Sequence, residues 1–309
     1  MDKLTRCAFV FAGQGAQAPG MGQSLAVASE AAREVFAHVD ALRPGTSDMC
    51  FSGDAQELMQ TINTQPCIWA VEMAAVAALE EAGIVARAAA GFSLGEMAAL
   101  AYAQAASFDE VFGLVCARAR HMEKAASKQD AGMAAVMKLD AATIEELCEH
   151  FESVWPVNYN CPGQIVVAGL TDQLTEFAVE VKASGGLARP LKVSSAFHSP
   201  LMAQASQDFG ADIAQVSFAE PSVALYSNVT GRPQTHEEIA RLLQLQMARP
   251  VRWQDTIEHL VQEQGIDTFV ELGPGTTLSG LIARTAPEVT TLNVCDEESL
   301  IKTVEVLTR

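Results

Sequence analysis

The stretch from residue 132 to residue 193 constrains the fold more than any other part of this sequence. Strand-like and helix-like segments alternate there in the order β-α-β-β-α-β, at Met133–Leu139, Ala141–Phe151, Val154–Tyr159, Gln164–Leu170, Asp172–Ala183 and Leu187–Val193. This order is typical of the ferredoxin-like, or split β-α-β, arrangement. Because a sheet covered by two helices can fold as a unit, we predict a small inserted subdomain over residues 128–197.

The chain on either side of this segment repeats a strand, a glycine-containing turn and a helix. The three clearest units are Leu4–Ala12 with loop 13–20 and helical stretch Ser24–Asp40, Ile84–Ala90 with turn 91–95 and Glu96–Ala105, and Thr268–Leu272 with turn 273–275 and Thr277–Thr285. Two more helices are predicted, at Ile68–Glu81 and from the capping box of Ser107 and Glu110 to about Ala126. Repeated units of this kind indicate a parallel sheet covered by helices. We therefore predict an α/β protein whose large domain comprises residues 1–127 and 198–309.

The composition argues against several classes of protein. The 309 residues carry 20 Lys and Arg against 38 Asp and Glu, and the net charge of −18 repels the phosphates of nucleic acids. The seven cysteines are scattered, odd in number and include no C-x-x-C pair. This pattern fits reduced thiols better than a disulfide framework or a zinc site. We expect no bound metal and no nucleic-acid partner.

No targeting or membrane-spanning segment is predicted. Lys3 and Arg6 precede an apolar stretch, but Cys7–Ala12 is shorter than the roughly 7–15 residues of a signal-peptide core. The uncharged residues that continue to Ser29 include several glycines, a proline and glutamines, which is typical of a loop and not of a membrane span. We expect a cytoplasmic protein that acts away from membranes, as a monomer.

Ser93 lies in the strongest candidate for a catalytic motif. The segment Gly91-Phe92-Ser93-Leu94-Gly95 falls between a predicted strand and a predicted helix. Its glycines permit the tight turn of a nucleophile elbow, which exposes the serine hydroxyl above the sheet. The helix dipole and the amide N–H of Leu94 would favour an oxyanion beside this serine. The alternative is an ordinary serine in a structural turn, because G-x-S-x-G also occurs by chance.

A serine nucleophile needs a base, and His198 is the best placed of the six histidines. It alone follows a predicted strand directly, and its small neighbours allow another segment to approach closely. The other five lie in helical patterns or at a capping box: His38, His121, His150, His236 and His259. No aspartate is near His198 in the sequence, so a backbone or amide carbonyl is expected to orient the ring. The alternative is a loop histidine without a role.

Arg118 lies in an apolar stripe of the helix that follows Ser107. The stripe is formed at helical spacing by Val111, Leu114, Val115 and Met122, whereas Arg120 falls on another face. A guanidinium on a buried face must find an anion, which a substrate carboxylate can provide through a bidentate pair. The alternative is a buried ion pair with an Asp or Glu of the protein.

Two glycine-rich segments suggest other anion sites. Residues 13–18 follow a strand and satisfy the dinucleotide-binding pattern G-x-G-x-x-A, with Asp40 near the spacing of a ribose-binding acid. Further glycines lengthen this loop, however, and Asp40 ends a helical stretch instead of a second strand. We expect the loop to form an oxyanion hole or a wall opposite Ser93. The turn 273–275 is either an anion cradle or a plain structural turn.

Taken in order, these motifs resemble the malonyl-CoA:acyl carrier protein transacylase family, which includes the acyltransferase domains of polyketide synthases. The matching segments extend from Phe9 to about Arg284 and are Gly13-Gln14-Gly15-Ala16-Gln17, Gly91-Phe92-Ser93-Leu94-Gly95-Glu96, Arg118, Asn158-Tyr159-Asn160-Cys161-Pro162-Gly163-Gln164, His198 and Gly273-Pro274-Gly275. The resemblance implies an α/β-hydrolase-like large domain with an inserted ferredoxin-like small subdomain. This agrees with the organisation predicted above.

The resemblance also implies a role for each matched residue. Ser93 would be acylated, and His198 would act first as its general base and later as a general acid. Arg118 would bind the free carboxylate of the malonyl group. The backbone amides of Gln14 and Leu94 would form the oxyanion hole.

Four further positions border this implied site. Gln246 matches the family glutamine whose carbonyl orients the histidine, and Asn160 matches an asparagine near the pantetheine channel. Phe92 departs from the family pattern, which usually has histidine there, and we expect it to shape acyl selectivity. Phe197, directly before His198, resembles the malonyl-selective form, because its bulk leaves no space for a 2-methyl group.

The reaction implied by the resemblance is a ping-pong transfer of the malonyl group from malonyl-CoA to the phosphopantetheine thiol of holo acyl carrier protein, through a malonyl-serine intermediate. It supplies fatty-acid or polyketide synthesis and needs no cofactor beyond the pantetheine of the partner. Because carrier proteins are as acidic as this chain, docking requires a local basic patch. The candidates are Arg189, Lys192, Arg249 and Arg284.

Three other functions stay open at this point. The first is a serine esterase or thioesterase that uses the same elbow and water as the acceptor. The second is a nicotinamide-dependent oxidoreductase that uses the N-terminal glycines. The third is a carrier-protein-binding module with a silent active site, which the departure at Phe92 motivates.

Overall fold

Two separate sheets organise the molecule, for which the computed structural model describes residues 6–193 and 195–308. The strands in these residues are β1 (Cys7–Phe11), β2 (Ala88–Gly91), β3 (Ala131–Met137), β4 (Val154–Cys161), β5 (Gln164–Leu170), β6 (Leu187–Pro190), β7 (Ala224–Tyr226), β8 (Thr268–Leu272) and β9 (Thr290–Val294). Five of them form a sheet in the order β7-β2-β1-β8-β9, in which all neighbours are parallel. Leu4 and Thr5 of the predicted first strand lie outside the described residues.

Helices cover both sheets and connect the parallel strands. They are α1 (Gln23–Ala28), α2 (Glu30–Leu42), α3 (Thr46–Ser52), α4 (Ala55–Leu58), α5 (Thr61–Glu81), α6 (Gly95–Tyr102), α7 (Phe108–Ala126), α8 (Ala141–Glu149), α9 (Thr171–Ala183), α10 (Ala203–Ile213), α11 (His236–Gln246), α12 (Trp253–Gln262), α13 (Thr277–Thr285) and α14 (Glu297–Thr308). A short 3-10 turn spans Pro200–Met202. None of the helices within the described ranges is long and apolar enough to cross a membrane.

The central strand β1 shows why the large sheet is parallel and covered on both faces. All five of its residues are buried, and its sequence is a continuous apolar run. It pairs with β2 so that Phe11 lies opposite Gly91. The two strands therefore end side by side, and the loops that follow them, 12–15 and 92–94, leave the sheet at the same edge.

The smaller sheet has the topology that its element order predicts. Its strands lie in the order β4-β5-β3-β6, and each neighbouring pair is antiparallel. With α8 and α9 on one side, a separate core forms around Phe177, Val136 and Val167. This is the split β-α-β arrangement. The boundaries at residues 127 and 198 stay a prediction.

The first predicted helix, Ser24–Asp40, is wrong in one respect, because it is two helices. α1 ends before Ser29, which has an extended backbone, and α2 starts after it. The Ser29 hydroxyl accepts a hydrogen bond from the amide of Ala32, as an N-cap does, and donates one to Glu81 at 2.6 Å. The cap explains the break that apolar periodicity alone did not reveal.

The prediction that a helix starts near Ile68 is also wrong. α5 begins at Thr61, and Pro66 lies within it. The predicted cap, Thr64, instead donates from its hydroxyl to the carbonyl oxygen of Leu58 at 2.6 Å. Most of α5 is buried on all sides, so its tertiary packing outweighs the helix-breaking tendency of one proline near the first turns.

Strand limits also differ from the predictions, by two residues for β3 and at the end of β4, and by more for β2 and β6. β2 starts at Ala88 and not at Ile84, because the amide of Ile84 still closes the end of α5 by bonding to the carbonyl oxygen of Leu79 at 2.9 Å. β6 ends at Pro190, short of the predicted Val193. The outer strands β7 and β9 were not predicted, since neither shows a clear alternating or continuous apolar pattern.

Candidate active site

The turn between β2 and α6 holds Ser93 in a strained backbone conformation. Its φ is 55°, in the left-handed region that serine rarely adopts. The turn is tight because a Cβ on Gly91 would lie 1.8 Å from the carbonyl carbon of Gly95, and one on Gly95 would lie 2.2 Å from the carbonyl oxygen of Phe11. Only glycine fits at both positions. This is the geometry of a nucleophile elbow.

His198 lies against this serine, although the two are far apart in the sequence. Its Nε2 is 2.7 Å from the Ser93 hydroxyl oxygen. The histidine is buried and also has a positive φ, 61°. Its backbone N–H donates to the carbonyl oxygen of Met247 at 3.0 Å, which anchors the segment after β6 to the end of α11.

The main chain of Gln246 determines which nitrogen of His198 carries the proton. The imidazole Nδ1 is 2.8 Å from the carbonyl oxygen of Gln246. Because a carbonyl can only accept, Nδ1 carries the hydrogen and Nε2 is free to accept the serine proton. Burial, and then the positive charge of Arg118, lower the pKa of His198 to about 4. The ring is therefore neutral at pH 7, as a general base requires.

Arg118 is fully buried and reaches the same serine. Its Nη2 donates to the Ser93 hydroxyl oxygen at 3.1 Å and to Oε1 of Gln246 at 2.9 Å, while Nη1 has no hydrogen-bond partner in the described chain. Burial lowers the pKa of the guanidinium to about 10, against the opposing effect of Glu96. No carboxylate in residues 6–193 and 195–308 forms an ion pair with it. The predicted place of Arg118 on a buried helix face is confirmed, and the predicted alternative, an internal ion pair, is wrong.

The two amides implied for the oxyanion hole belong to adjacent loops. Leu94 follows Ser93 at the start of α6, and Gln14 lies in the loop after β1. In the described residues neither backbone N–H donates to a protein acceptor. The Gln14 side chain is held by Gln65, whose Nε2 donates to its Oε1 at 2.8 Å. An oxyanion hole needs donors that are not otherwise used, so both amides remain available for the role that the resemblance implies, which stays a prediction.

A cavity of about 410 Å³ opens beside this site. It is lined by Gln14, Gly15, Gln17, Met59, Thr61, Lys192, Val193 and Phe197. Of the four basic residues predicted for partner docking, only Lys192 is on that lining. Arg189 and Arg249 are exposed but do not line this cavity, and Arg284 donates to Gln164.

The three predicted channel residues have different surroundings. Phe197 lines the cavity. Phe92 does not, because its ring packs edge-on against Trp253 with centroids 5.6 Å apart and lies against Gly13. Asn160, near the end of β4, is buried, and its Oδ1 has no hydrogen-bond partner among the described residues. The roles of all three stay predictions.

Two carboxylates that belong to the alternative anion sites bind backbone amides of the protein itself. The Asp40 carboxylate accepts a hydrogen bond from the amide of Ser47 at 2.9 Å, which ties α2 to α3. At the turn 273–275, the Glu271 carboxylate accepts from the amides of Leu278 and Ser279 at 2.9 and 2.7 Å and thereby caps α13. The turn 273–275 is therefore a structural turn. No group of three or more His, Cys, Asp or Glu within the described ranges is arranged to hold a metal ion.

The sequence predictions assigned no role to two buried polar residues under the serine turn, Glu96 and Asn228. Asn228 accepts a hydrogen bond from the Ser93 amide through Oδ1 at 2.7 Å and donates through Nδ2 to the carbonyl oxygen of Gly91 at 2.6 Å. Glu96 accepts from the backbone amide of Asn228 at 3.1 Å. A signal for Glu96 exists, because it is a charged residue in a helix of otherwise mostly apolar residues directly after the serine turn. No pattern in the sequence indicates Asn228.

Comparison with known proteins decides the family. A family model described as acyl transferase domain matches residues 8–302. The chain belongs to the acyl transferase domain family. This acyltransferase is 35% identical to the malonyl CoA-acyl carrier protein transacylase of Bacillus subtilis (strain 168), over 98% of each chain. The predicted resemblance is thus confirmed.

Solved structures agree with the acyltransferase fold. The malonyl CoA-acyl carrier protein transacylase of Clostridium perfringens superimposes with a TM-score of 0.95 at 34% identity, covering 98% of this chain and 97% of the other. A malonyl-transacylase solved in complex with its type II polyketide synthase acyl-carrier protein gives 0.93 at 32% identity, with coverages of 97% and 99%. The predicted fold class is confirmed by these structures.

Proposed function

We propose that this acyltransferase moves the malonyl group of malonyl-CoA to the phosphopantetheine thiol of a holo acyl carrier protein. The observation that carries the proposal is Arg118. A buried guanidinium 3.1 Å from the Ser93 hydroxyl, whose Nη1 has no partner among the described residues, suits an acyl group that ends in a carboxylate. A neutral acyl group would leave this buried donor unsatisfied, which is costly.

The first half-reaction acylates the serine. Nε2 of His198 removes the proton from Ser93 as the hydroxyl oxygen attacks the thioester carbonyl, and the amides of Gln14 and Leu94 stabilise the oxyanion. The C–S bond then breaks, and the coenzyme A sulfur takes the proton back from Nε2. Throughout, Nδ1–H stays bonded to the Gln246 carbonyl oxygen, which favours the imidazolium that forms transiently.

The second half-reaction is the same chemistry in reverse. The carrier-protein thiol gives its proton to His198 and attacks the malonyl ester, and the serine oxygen leaves with that proton. No metal or cofactor takes part in these steps, since the pantetheine belongs to the partner. A relative solved with its acyl-carrier protein supports this choice of acceptor.

Hydrolysis is the main competitor for the malonyl-serine ester. The Ser93–His198 pair alone would also serve an esterase, which needs no buried arginine beside the serine. The Arg118 guanidinium therefore favours a transferase for carboxylated acyl groups over a general esterase. The names of the relatives, which are transacylases, support the same choice.

Intact-protein mass spectrometry tests the proposal. Wild type and Ser93→Ala are incubated briefly with malonyl-CoA or acetyl-CoA, and holo carrier protein is then added. We expect a malonyl adduct on wild type only, little acetyl adduct, and transfer of the malonyl group to the carrier. Rapid loss of the adduct to water would instead indicate a hydrolase, and absence of any adduct would indicate a silent binding module.

A further inference from the structure

Three buried polar side chains form a cluster directly beneath the serine turn. Glu96, Asn228 and Gln246, here called the carboxylate–amide cluster, are each at most 1% exposed. Within it, Nε2 of Gln246 donates to Glu96 at 3.0 Å. None of the steps proposed above uses the Glu96 carboxylate.

One member of the carboxylate–amide cluster, Gln246, contacts all three residues of the candidate site. Its main-chain carbonyl accepts from His198 at 2.8 Å, its side-chain Oε1 accepts from Arg118 at 2.9 Å, and its Nε2 donates to the carbonyl oxygen of Ser93 at 2.6 Å. The orientation of the Gln246 side-chain amide therefore decides whether the Arg118 guanidinium faces an oxygen acceptor or an NH₂ donor. Were the amide turned over, its NH₂ group would face the guanidinium, donor against donor.

The Glu96 carboxylate and the Ser93 carbonyl oxygen together favour the orientation of the Gln246 amide that suits Arg118. Oε2 of Glu96 receives the Asn228 backbone N–H at 3.1 Å and the Gln246 NH₂ at 3.0 Å. Because Oε2 of Glu96 acts as an acceptor, the Gln246 side chain must turn its NH₂ group toward it. The Gln246 Oε1 then faces Arg118. Burial raises the pKa of Glu96 to about 7, but a proton can occupy Oε1, so Oε2 accepts in either state.

We propose that Glu96 is a positioning residue that orients the Gln246 amide and thereby places the Arg118 guanidinium for the carboxylate of the acyl group. The inference rests on the function proposed above and deepens it. Glu96 touches neither Ser93 nor His198 through its side chain, so it acts through its neighbours. Its negative charge also favours the charged form of Arg118 without contacting it.

The test compares Glu96→Ala, Glu96→Gln and a control, Glu271→Ala. Glu271 is equally buried and also accepts two N–H groups, but at α13. In Glu96→Gln, the amide oxygen can replace Oε2. Its NH₂ group then faces Gln234, whose Oε1 has no partner in the described chain and can turn to accept. Glu96→Gln thus keeps both acceptors that orient the Gln246 amide, whereas Glu96→Ala leaves the Ser93 carbonyl oxygen as the main one.

The readout is the ratio of kcat/KM for Ser93 acylation by malonyl-CoA to that by acetyl-CoA. We expect this ratio to fall about tenfold in Glu96→Ala, mostly through KM for malonyl-CoA, and to be largely rescued in Glu96→Gln. Glu271→Ala should keep the wild-type ratio. Equal losses with both thioesters in Glu96→Ala, or an unchanged ratio, would overturn the positioning role.

Crystal structures of Glu96→Ala and Glu96→Gln separate this inference from the proposed function. If wild type accepts no malonyl group, the proposed function fails, but the position of the guanidinium can still be compared between the variants. We expect Arg118 to keep its contact with Gln246 in Glu96→Gln and to lose it in Glu96→Ala. An undisplaced Arg118 in Glu96→Ala would overturn the inference independently of turnover.

Discussion

The Arg118 guanidinium donates a hydrogen bond of 3.1 Å to the Ser93 hydroxyl, although a helix and a turn separate the two residues in the chain. The same hydroxyl lies 2.7 Å from Nε2 of His198. Since Arg118 donates to this oxygen, the serine proton is directed to the histidine. Arg118 therefore acts on the serine before any substrate arrives, and its charge adds to the effect of burial, which is the main cause of the lowered pKa of His198.

Replacing Arg118 by alanine should abolish the preference for carboxylated acyl groups. The malonyl carboxylate would lose a charged hydrogen-bond donor in a buried site, so the malonyl-to-acetyl ratio of acylation rates should fall by a factor of about 10 to 100. The exposed neighbour Arg120, two residues along α7, provides the control Arg120→Ala. An unchanged ratio in Arg118→Ala would remove the basis for the proposed substrate.

In a plot of the acylation rate against pH, the fall at acid pH, here called the acid limb, should have its midpoint well below pH 6.5. Because the pKa of His198 is lowered to about 4, the base stays neutral as the pH falls from 7 and is lost only as the pH approaches 4. Removing the charge in Arg118→Ala should move this limb to higher pH, since Arg118 is the second cause of the shift after burial.

A neutral ester such as p-nitrophenyl acetate measures this limb without titrating a substrate carboxylate. The burst of p-nitrophenol is followed in both proteins from pH 3 to 8, with Ser93→Ala as the blank and circular dichroism to verify folding. A midpoint at 6.5 in wild type, or the same midpoint in both proteins, would contradict the assignment of His198 as a buried general base.

The serine turn should not tolerate a methyl group at Gly95. An added Cβ would meet the Phe11 carbonyl oxygen at 2.2 Å, so Gly95→Ala should cost about 1–3 kcal/mol or more in the free energy of unfolding. Gly113→Ala is the control, because that exposed helical glycine has open space around it and should gain roughly 0.5–1 kcal/mol. Chemical denaturation measures both, and equal stabilities would refute the close packing of β1 on α6.

Phe92→Ala should slow acylation by malonyl-CoA and acetyl-CoA to the same extent. The Phe92 ring packs between Trp253 and the loop at Gly13, next to the Gln14 amide. Without the ring, the Gln14 amide would be held less firmly and would stabilise the oxyanion of any thioester less well. We expect both acylation rates to fall about tenfold. Phe92→His, which keeps a planar ring, should retain most of the rate. A change in the malonyl-to-acetyl ratio would instead place Phe92 in the acyl pocket, as the sequence analysis expected.

Lys192→Glu should weaken the transfer to an acidic carrier protein. Lys192 lines the cavity beside the site, and reversing its charge should lower the second-order rate of transfer from malonyl-serine about three- to tenfold at low salt. High salt should remove the difference, because exposed charges are screened. Lys182→Glu, in the last turn of α9, is the control. Equal rates at low salt would place the docking surface elsewhere.

Features that depend only on neighbouring residues could be predicted from the sequence. The serine turn follows from two glycines within five residues, the burial of Arg118 from helical spacing, and the split β-α-β sheet from the order of its elements. These features arise from local sterics and periodicity, which the sequence displays directly. The predicted limits of α13 were correct for the same reason, since a glycine-containing turn precedes it and an apolar stripe runs through it.

Tertiary structure alone decided the contacts that join distant segments. Asn228 reaches the Ser93 amide from 135 positions away, and Gln246 reaches Glu96 from 150. A single hydrogen bond between such segments leaves no periodic trace, because it depends on how the loop after β7 and the end of α11 pack beneath the sheet edge. Tertiary packing also explains why α5 stays helical through Pro66, because most of this helix is buried on all sides.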